Sequence, residues 1–382
     1  MTGAGPVHAY LMAAGLGTRL YPLTGLTSKP MVPILNRPVM EHLLHLLRRH
    51  GVTEVAANLH YYPDRIRSYF GDGSGFGVDL RYNLEEQLLG TAGGADAFRA
   101  FLGDATFLVM SGDGLTDADL TAFLAAHRRS GGVATLAVKE VDDPSLYGVV
   151  VHDDHGRVTG FQEKPSREEA RSNLCNCGIY AFEPEVFDYI APGAFVDWAH
   201  DVFPALLGDG RPFHVWRLES YWNDVGNIEQ YRIGNFDALL GRVRLDVPGR
   251  EVAPRVWVGE GTEIESGVRL EAPVLLGAGC LVESGAELVG PLIIGDGCVV
   301  ESGAVLEGMI HWDGAKAGRD SRLAGSILGR HVVVRHGAVV HEDAVVGDRS
   351  EIAPHAQVEA GARVEPRSEI CAGAQCGEDG AS

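Results

Sequence analysis

Apolar and polar residues recur along this chain with two different periods, and the change of period divides it. From the N-terminus to about Leu240, short apolar runs are interleaved with segments of helical spacing. The runs VHAYLMA, VTEVAANL, ATFLVMSGD and VATLAVKEV read as strands. PVMEHLLHLLRRHG has helical spacing and ends at Gly51, where a glycine C-terminal stop is expected. Strands alternating with helices predict an α/β domain on a mostly parallel sheet covered on both faces. Ligands of such sheets sit at the carboxyl ends of strands. The loop after VHAYLM and Asp113, which follows FLVMSG, both fall at ends of that kind.

After GRVRLDVPGR an aliphatic residue recurs every six positions, at Val258, Ile264, Leu270, Leu276, Val282, Leu288, Ile294, Val300 and Leu306. A second run passes through Leu328, Val334, Val340, Val346, Ile352, Val358 and Val364. Between them, the steps from Leu306 to Ala317 and from Leu323 to Leu328 each fall one residue short of whole hexads, so two small irregularities are expected. Small or apolar residues four positions after the repeat, such as Thr262, Cys280, Ala286, Cys298 and Ala304, and glycine-rich turns complete the pattern. It predicts a parallel β-helix with three hexads to a coil, about six coils in all. Solenoids of this hexapeptide kind are left-handed, an exception to the usual crossover rule. The expected division is an α/β domain over 1–240, a linker over 241–252, the β-helix over 253–366 and a polar tail over 367–382.

Composition narrows the partners. A formal charge of −20, from 52 acidic and 32 basic residues, argues against a nucleic-acid or anionic-membrane surface. An anionic small substrate still fits if a few cations converge in one cleft. The apolar run from Ala9 to Ala14 is too short to span a membrane and lacks a basic flank, so neither a span nor a signal peptide is indicated. Six cysteines are scattered. Cys280 and Cys298 lie one coil apart and read as stacked small core residues. Cys175 and Cys177 share one strand face, and Cys371 and Cys376 fall in the expected tail. A reducing cytoplasm fits this usage.

Four stretches carry chemistry: LMAAGLGTRLYPLTGLTSKP, SGD, EKP and WNDVG. The first is neither a P-loop, which needs a lysine directly after its last glycine, nor GxGxxG, because the third glycine position is Leu20. Its glycines let backbone N–H groups approach phosphate oxygens, and Arg19 and Lys29 add positive charge. Asp113 and Asp224 are hard oxygen donors suited to Mg²⁺ bridging phosphates; each alone reads more readily as a turn or cap residue, but the pair stands beside a phosphate loop.

AAGLGTRLYPLTGLTSKPMVPILNRP closely resembles the signature GxGTRLxPLTxxxPKPMxPIxxxP of sugar-1-phosphate nucleotidylyltransferases, and the likeness runs on through LLGTAGG, SGD, YGVVV, GFQEKP, NCGIY and WNDVG. The resemblance implies a Rossmann-like nucleotidyltransferase domain followed, as in long members of the family, by a left-handed β-helix. It implies that Ala14, Gly15, Gly17 and Thr18 hold an NTP, that Arg19 and Lys29 bind the phosphates leaving as pyrophosphate, and that Glu85, Gly90 and Thr91 line the base. By the same resemblance Gly148, Glu163 and Asn176 face the sugar hydroxyls, Lys164 its phosphate, and Asp113 and Asp224 share Mg²⁺. The order of motifs most resembles the mannose-1-phosphate guanylyltransferase branch, implying GTP and mannose 1-phosphate giving GDP-mannose. The family proline before the lysine is Ser28 here, which removes a stiff residue from the segment presenting Lys29.

Other readings stay open at this point: dTTP or UTP with glucose 1-phosphate, an unusual sugar or cyclitol phosphate, or a non-catalytic regulatory homologue that binds NDP-sugar. A further alternative gives the solenoid an acyl-transfer activity with His311, His331, His336 or His341 as base, although a solvated turn histidine is the plainer reading. The solenoid's open ends and flat faces also predict a homo-oligomer.

Overall fold

A computed structural model of the protein describes residues 7–373 and 375–376. Packing divides the chain into two units: residues up to Leu16 with Val39–Asp224, and Gly17–Pro38 with Val225 onward.

The first unit is built on nine strands: β1 His8–Met12, β2 Glu54–Leu59, β3 Asp79–Leu84, β4 Phe107–Ser111, β5 Ala134–Glu140, β6 Gly148–His152, β7 Val158–Glu163, β8 Leu174–Phe182 and β9 Phe213–Arg217. The four runs read from the sequence as strands are β1, β2, β4 and β5. The hydrogen-bonded order is β9-β5-β8-β4-β1-β2-β3, with the β6–β7 hairpin attached to the start of β8. β1, β2, β3 and β4 run parallel, as do β5 and β9, while β8 is antiparallel to both β4 and β5. Parallel strands buried on both faces read as continuous apolar runs, and the VAA of β2 and the FLVM of β4 do so. Helix α1, Val39–Arg49, ends on Gly51 at φ +77°, the left-handed stop its sequence announces. No helix among the described residues is long and apolar enough to cross a membrane.

In the second unit, three parallel sheets stack into a left-handed β-helix whose inward positions form one apolar column, including Leu276, Ile294, Leu328, Val346 and Val364. Most successive rungs are 18 residues apart, as Val274 with Leu292, but Ile293 pairs with Ile310 and Ile310 with Ile327, one residue closer. These short coils coincide with the two irregularities in the hexad count. Cys280 and Cys298 lie in the solenoid core as unpaired thiols.

Three features differ from the sequence reading. Strands Glu369–Ile370 and Gln375–Cys376 add a seventh rung to the second and third sheets, so residues 367–373 and 375–376 are solenoid rather than tail. The hexad step from Val364 continues through Ile370 to Cys376, both buried, but a cysteine stands where an aliphatic residue would have announced it. The rest of the expected tail lies outside the described residues. At the other end, the strand Arg250–Ala253, antiparallel to Val256–Val258, already takes in 250–252, the close of the expected linker. His311 is no surface base: it points into the solenoid interior, wholly buried between Ile294 and Leu328, with neither ring nitrogen hydrogen-bonded. His331 and His336 are exposed turn residues.

Candidate active site

In the first unit the chain ends of β1, β2 and β3 are tied by one buried polar relay. Asn58, at the end of β2, accepts a hydrogen bond from the Ala13 N–H through Oδ1 (2.8 Å) and donates through Nδ2 to Glu85 Oε1 (2.7 Å). The other Glu85 oxygen accepts the Leu89 N–H at 3.0 Å. Both carboxylate oxygens of Glu85 are therefore engaged by the chain itself, and the residue expected to line the base fixes the geometry of the turn that leads to Gly90. Ala14, directly after this relay, is buried, and Gly15 is exposed.

Gly90 opens the short helix α2, Gly90–Asp96, at φ +79°, where a Cβ would meet the Val196 carbonyl at 2.4 Å. That carbonyl accepts the Ala92 and Gly93 N–H groups. The Thr91 hydroxyl donates to Asp197 Oδ2 (2.7 Å) and accepts the Trp198 N–H (2.9 Å). The LGTAGG element is thus strapped by residues 194–198. Gly94 is confined more tightly: a Cβ there would lie 2.3 Å from Glu85 Oε1 and 2.7 Å from Asn58 Nδ2.

The residues expected at the sugar meet along the β7-β6-β8 edge. Glu163 pairs with Gly148, and a Cβ on Gly148 would sit 3.1 Å from Glu163 Oε2. Cys175 pairs with Val149, so one step on Asn176 falls opposite Gly148. The Asn176 side chain is held on both sides, donating to the Tyr180 hydroxyl (2.9 Å) and accepting the Gly178 N–H (3.1 Å). Gly178, at φ +67°, lies against Ser111, whose hydroxyl donates to Asp113 Oδ1. Lys164 takes a left-handed backbone at φ +43°, donates its N–H to the Tyr147 carbonyl, and keeps an exposed ammonium 3.9 Å from Glu163. This is an exposed ion pair as well as a candidate phosphate ligand, and an exposed pair adds little to stability.

Asp224 follows Trp222–Asn223, a two-residue strand paired with Leu115–Thr116. Its charge acts on Tyr147, whose hydroxyl is pushed up to about 12, first by burial and then by that carboxylate. Tyr147 packs edge-on against Trp222 (centroids 5.6 Å apart), whose indole N–H donates to the Cys177 carbonyl. Aromatic walls beside carboxylate, amide and ammonium groups suit a sugar, which offers apolar ring faces and hydroxyl edges.

The remaining expected residues, Gly17, Thr18, Arg19 and Lys29, belong to the second unit. Gly17 has φ +69°, and a Cβ would lie 2.9 Å from Lys29 Cβ, so both the backbone angle and the close approach call for glycine. Its carbonyl accepts the Thr24 hydroxyl at 2.9 Å. Thr18 and Arg19 are exposed in a single 3₁₀ turn, whereas Lys29 is mostly buried in a second one, Lys29–Met31. Ser28 precedes it at φ −84°, close to the angle a proline ring imposes, with its hydroxyl buried and unpartnered.

Asn58, Asp197, Tyr147 and Trp222 carry parts of this arrangement that motif reading did not single out. Asn58 had a visible signal, a polar residue closing the apolar run VAAN at the ligand end of a strand.

Residues 8–239 match the Nucleotidyl transferase family. The chain is 38% identical over 358 residues to a UTP–glucose-1-phosphate uridylyltransferase of Synechocystis sp., covering 90% of this chain and 92% of that one. It is 36% identical over 287 residues to a mannose-1-phosphate guanylyltransferase of Mycobacterium tuberculosis, covering 70% and 79%. Among solved structures, a putative glucose-1-phosphate thymidylyltransferase from Bacillus anthracis superposes with a TM-score of 0.57 at 23% identity, covering 63% of this chain and 97% of that one, a likeness of fold. With the family match over residues 8–239 and a relative spanning both units, the chain belongs to the nucleotidyl transferase family, among the sugar-1-phosphate nucleotidyltransferases.

Proposed function

We propose that the protein condenses an NTP with a sugar 1-phosphate, releasing pyrophosphate and an NDP-sugar. The observation that carries this reading is the meeting of Gly148, Glu163 and Asn176 on adjoining strands, with Lys164 next to Glu163. A phosphate oxygen of the sugar phosphate attacks the α-phosphorus, a new P–O bond forms, and the bond to the β-phosphate oxygen breaks with its electron pair leaving on pyrophosphate. The attacking oxygen is already ionised, so the reaction needs no general base. Its barrier is repulsion between anions, and oriented binding can supply roughly 7–11 kcal/mol against it.

In this reading Lys164 binds the sugar phosphate, Asn176 and Glu163 the hydroxyls, and Arg19 and Lys29 the departing phosphates. Ala14, Gly15, Gly17 and Thr18 hold the nucleotide, and Gly90 and Thr91 border its base. Asp113 and Asp224 would hold Mg²⁺. Hard carboxylate oxygens suit that ion, and since no group of three or more candidate donors occurs among the described residues, its other ligands would be water and phosphate. When bound, the ion neutralises charge on the phosphates.

The motif order favours GTP with mannose 1-phosphate. A second reading, UTP with glucose 1-phosphate, is favoured by the uridylyltransferase whose similarity extends through the solenoid. Pyrophosphate release with Mg²⁺ across a grid of NTPs and sugar 1-phosphates separates them by which pair dominates. With that pair, Asp224→Ala and Lys164→Ala are expected to lower kcat about 10²–10³-fold; turnover within a fewfold of the parent would refute the assigned roles. A homo-oligomer in a reducing cytoplasm remains part of the proposal, and light scattering showing a concentration-independent monomer would remove the first.

A further inference from the structure

In the solenoid's first sheet, side chains alternate between interior and exterior. Leu276, Ile294, Leu328 and Val346 fill the interior column, so Leu275, Ile293, Ile310, Ile327 and Val345 point outward. These five are each 2% exposed or less. An outward stripe of aliphatic residues is therefore covered, and hydrogen bonds tie this sheet and its turns to the segment 17–38 and to the helix Ile228–Leu239.

The attachments are specific. Asn36, at the tip of the hairpin formed by Pro33–Ile34 and Arg37–Pro38, donates from Nδ2 to the Ile294 carbonyl at 2.7 Å. Arg330, in the turn after Ile327–Leu328, donates to the Met31 carbonyl at 3.5 Å. Its guanidinium lies 4.7 Å above the Trp312 ring and between the Asp313 and Asp348 carboxylates of neighbouring coils, at 3.8 and 4.0 Å. Trp312 in turn donates to the Tyr231 hydroxyl at 2.7 Å. On the same helix Asn235 receives the Leu35 N–H and donates to the Pro33 carbonyl. A Cβ on Gly25 would lie 2.6 Å from Pro366.

What these contacts hold is the turn Lys29–Met31. That turn closes on two backbone bonds, Met31 N–H to Ser28 and Val32 N–H to Lys29. So short a 3₁₀ piece does not order itself. Ser28 also supplies none of the stiffness a proline would. A stacked solenoid, in which every rung is braced by its neighbours, is a rigid floor for such a segment.

We propose that the outer face of the solenoid's first sheet is a positioning surface for the Lys29 segment, with Asn36 and Arg330 as its polar anchors. The solenoid is then part of the apparatus that presents Lys29 to the NTP phosphates, a role that rests on the nucleotidyl-transfer reading of Lys29. A misplacement of about 1 Å in a phosphate ligand can cost on the order of 10²-fold in rate, so loose anchoring should register in catalysis before it registers in folding.

The test uses the full chain and the best substrate pair from the grid. Asn36→Gly removes the amide while keeping the left-handed turn (φ +64°), and Arg330→Ala removes the second anchor. Each is expected to lower kcat/KM for the NTP about 10-fold and the double variant about 100-fold, with KM for the sugar phosphate within twofold. Arg330→Lys should recover part of the loss, and Arg322→Ala, on an exposed position of the third sheet, should change nothing. Hydrogen exchange of the Met31 and Val32 amides should quicken in Asn36→Gly, Arg330→Ala and the double variant, and stay at the parent rate in Arg322→Ala. Equal losses for both substrates, or unchanged exchange and kinetics, would overturn the proposal. If the parent protein released no pyrophosphate yet the two amides exchanged faster in the variants, the anchoring would stand and the reading of the reaction would fail.

Discussion

Asn58 at the end of β2 and His311 inside the solenoid are both polar side chains buried in the fold, and of the two only the first is satisfied. Asn58 uses its carbonyl for the Ala13 N–H and its amide for Glu85, whose second oxygen takes the Leu89 N–H. His311 has no partner for either ring nitrogen, and the buried Ser321 and Ser326 hydroxyls have none either. The difference follows from what each region does with its polar groups. The relay around Asn58 fixes three chain ends at the ligand side of a sheet, so the side-chain oxygens and nitrogen of Asn58 and Glu85 all have partners, although the Tyr10 hydroxyl beside them has none. The three orphans of the solenoid fall in its shortened coils, where rungs pair 17 rather than 18 residues apart and the aliphatic column is broken.

The comparison predicts opposite signs for removing the two side chains. Asn58→Ala leaves a buried carboxylate short of a donor and a buried N–H without an acceptor, and should cost about 3–4 kcal/mol in denaturant unfolding. A cost below about 1 kcal/mol would mean that the relay is not holding these ends together. Gly94→Ala attacks the same relay by overpacking, since its methyl group would press on Glu85, Tyr10 and Asn58 at once, and should cost about 1–3 kcal/mol.

His311 should show itself through pH. Burial alone lowers its pKa from the ordinary 6.5 to about 4. Above pH 6.5 the ring is neutral in both folded and unfolded chains, so it adds no slope. As pH falls from 6.5 towards 4 the unfolded chain takes up a proton that the folded chain refuses, and stability declines by about 3 kcal/mol across that window. His311→Leu removes this share of the decline and, near pH 7.5, should raise stability by about 1–2 kcal/mol by replacing an unpaired ring with a side chain of similar volume. Parent and variant curves that stay parallel between pH 7 and 4 would show the ring to be hydrated.

Legibility followed the range of the cause. The hexads were readable because each rung repeats a local rule, and the break between Leu306 and Leu328 was visible as two lost residues, although its polar content was not interpretable. Strands β1, β2, β4 and β5 and the glycine stop of α1 were also local. The site was legible as motifs, yet the use of Glu85 and Thr91 as internal struts depends on partners 27 and 106 residues away. The grouping of Gly17–Pro38 with the solenoid rests on contacts such as Arg330 to Met31, 299 residues apart, and no periodicity announces those.

The exterior of the solenoid gives the smallest effects and separates two kinds of surface charge. Arg269 bridges Glu287, at 2.6 Å, and Glu271, but its side chain is 56% exposed. Ordering a long side chain between solvated carboxylates yields little, so Arg269→Ala should change stability by less than about 0.5 kcal/mol and mainly at low salt. Glu265, Glu283 and Glu301 look similar in the sequence, each opening an acidic turn one coil after the last. Each accepts a backbone N–H of the following coil, from Ser284, Ser302 and Arg319 at 2.8–2.9 Å. Such a carboxylate acts as a cap, satisfying a turn donor and fixing the register of one coil on the next. Glu283→Ala should therefore cost about 1 kcal/mol, roughly independent of salt, and Glu283→Gln should restore most of it because the amide oxygen accepts the same bond. A loss that vanished at high salt would place Glu283 with Arg269, as charge on a surface rather than a strut between coils.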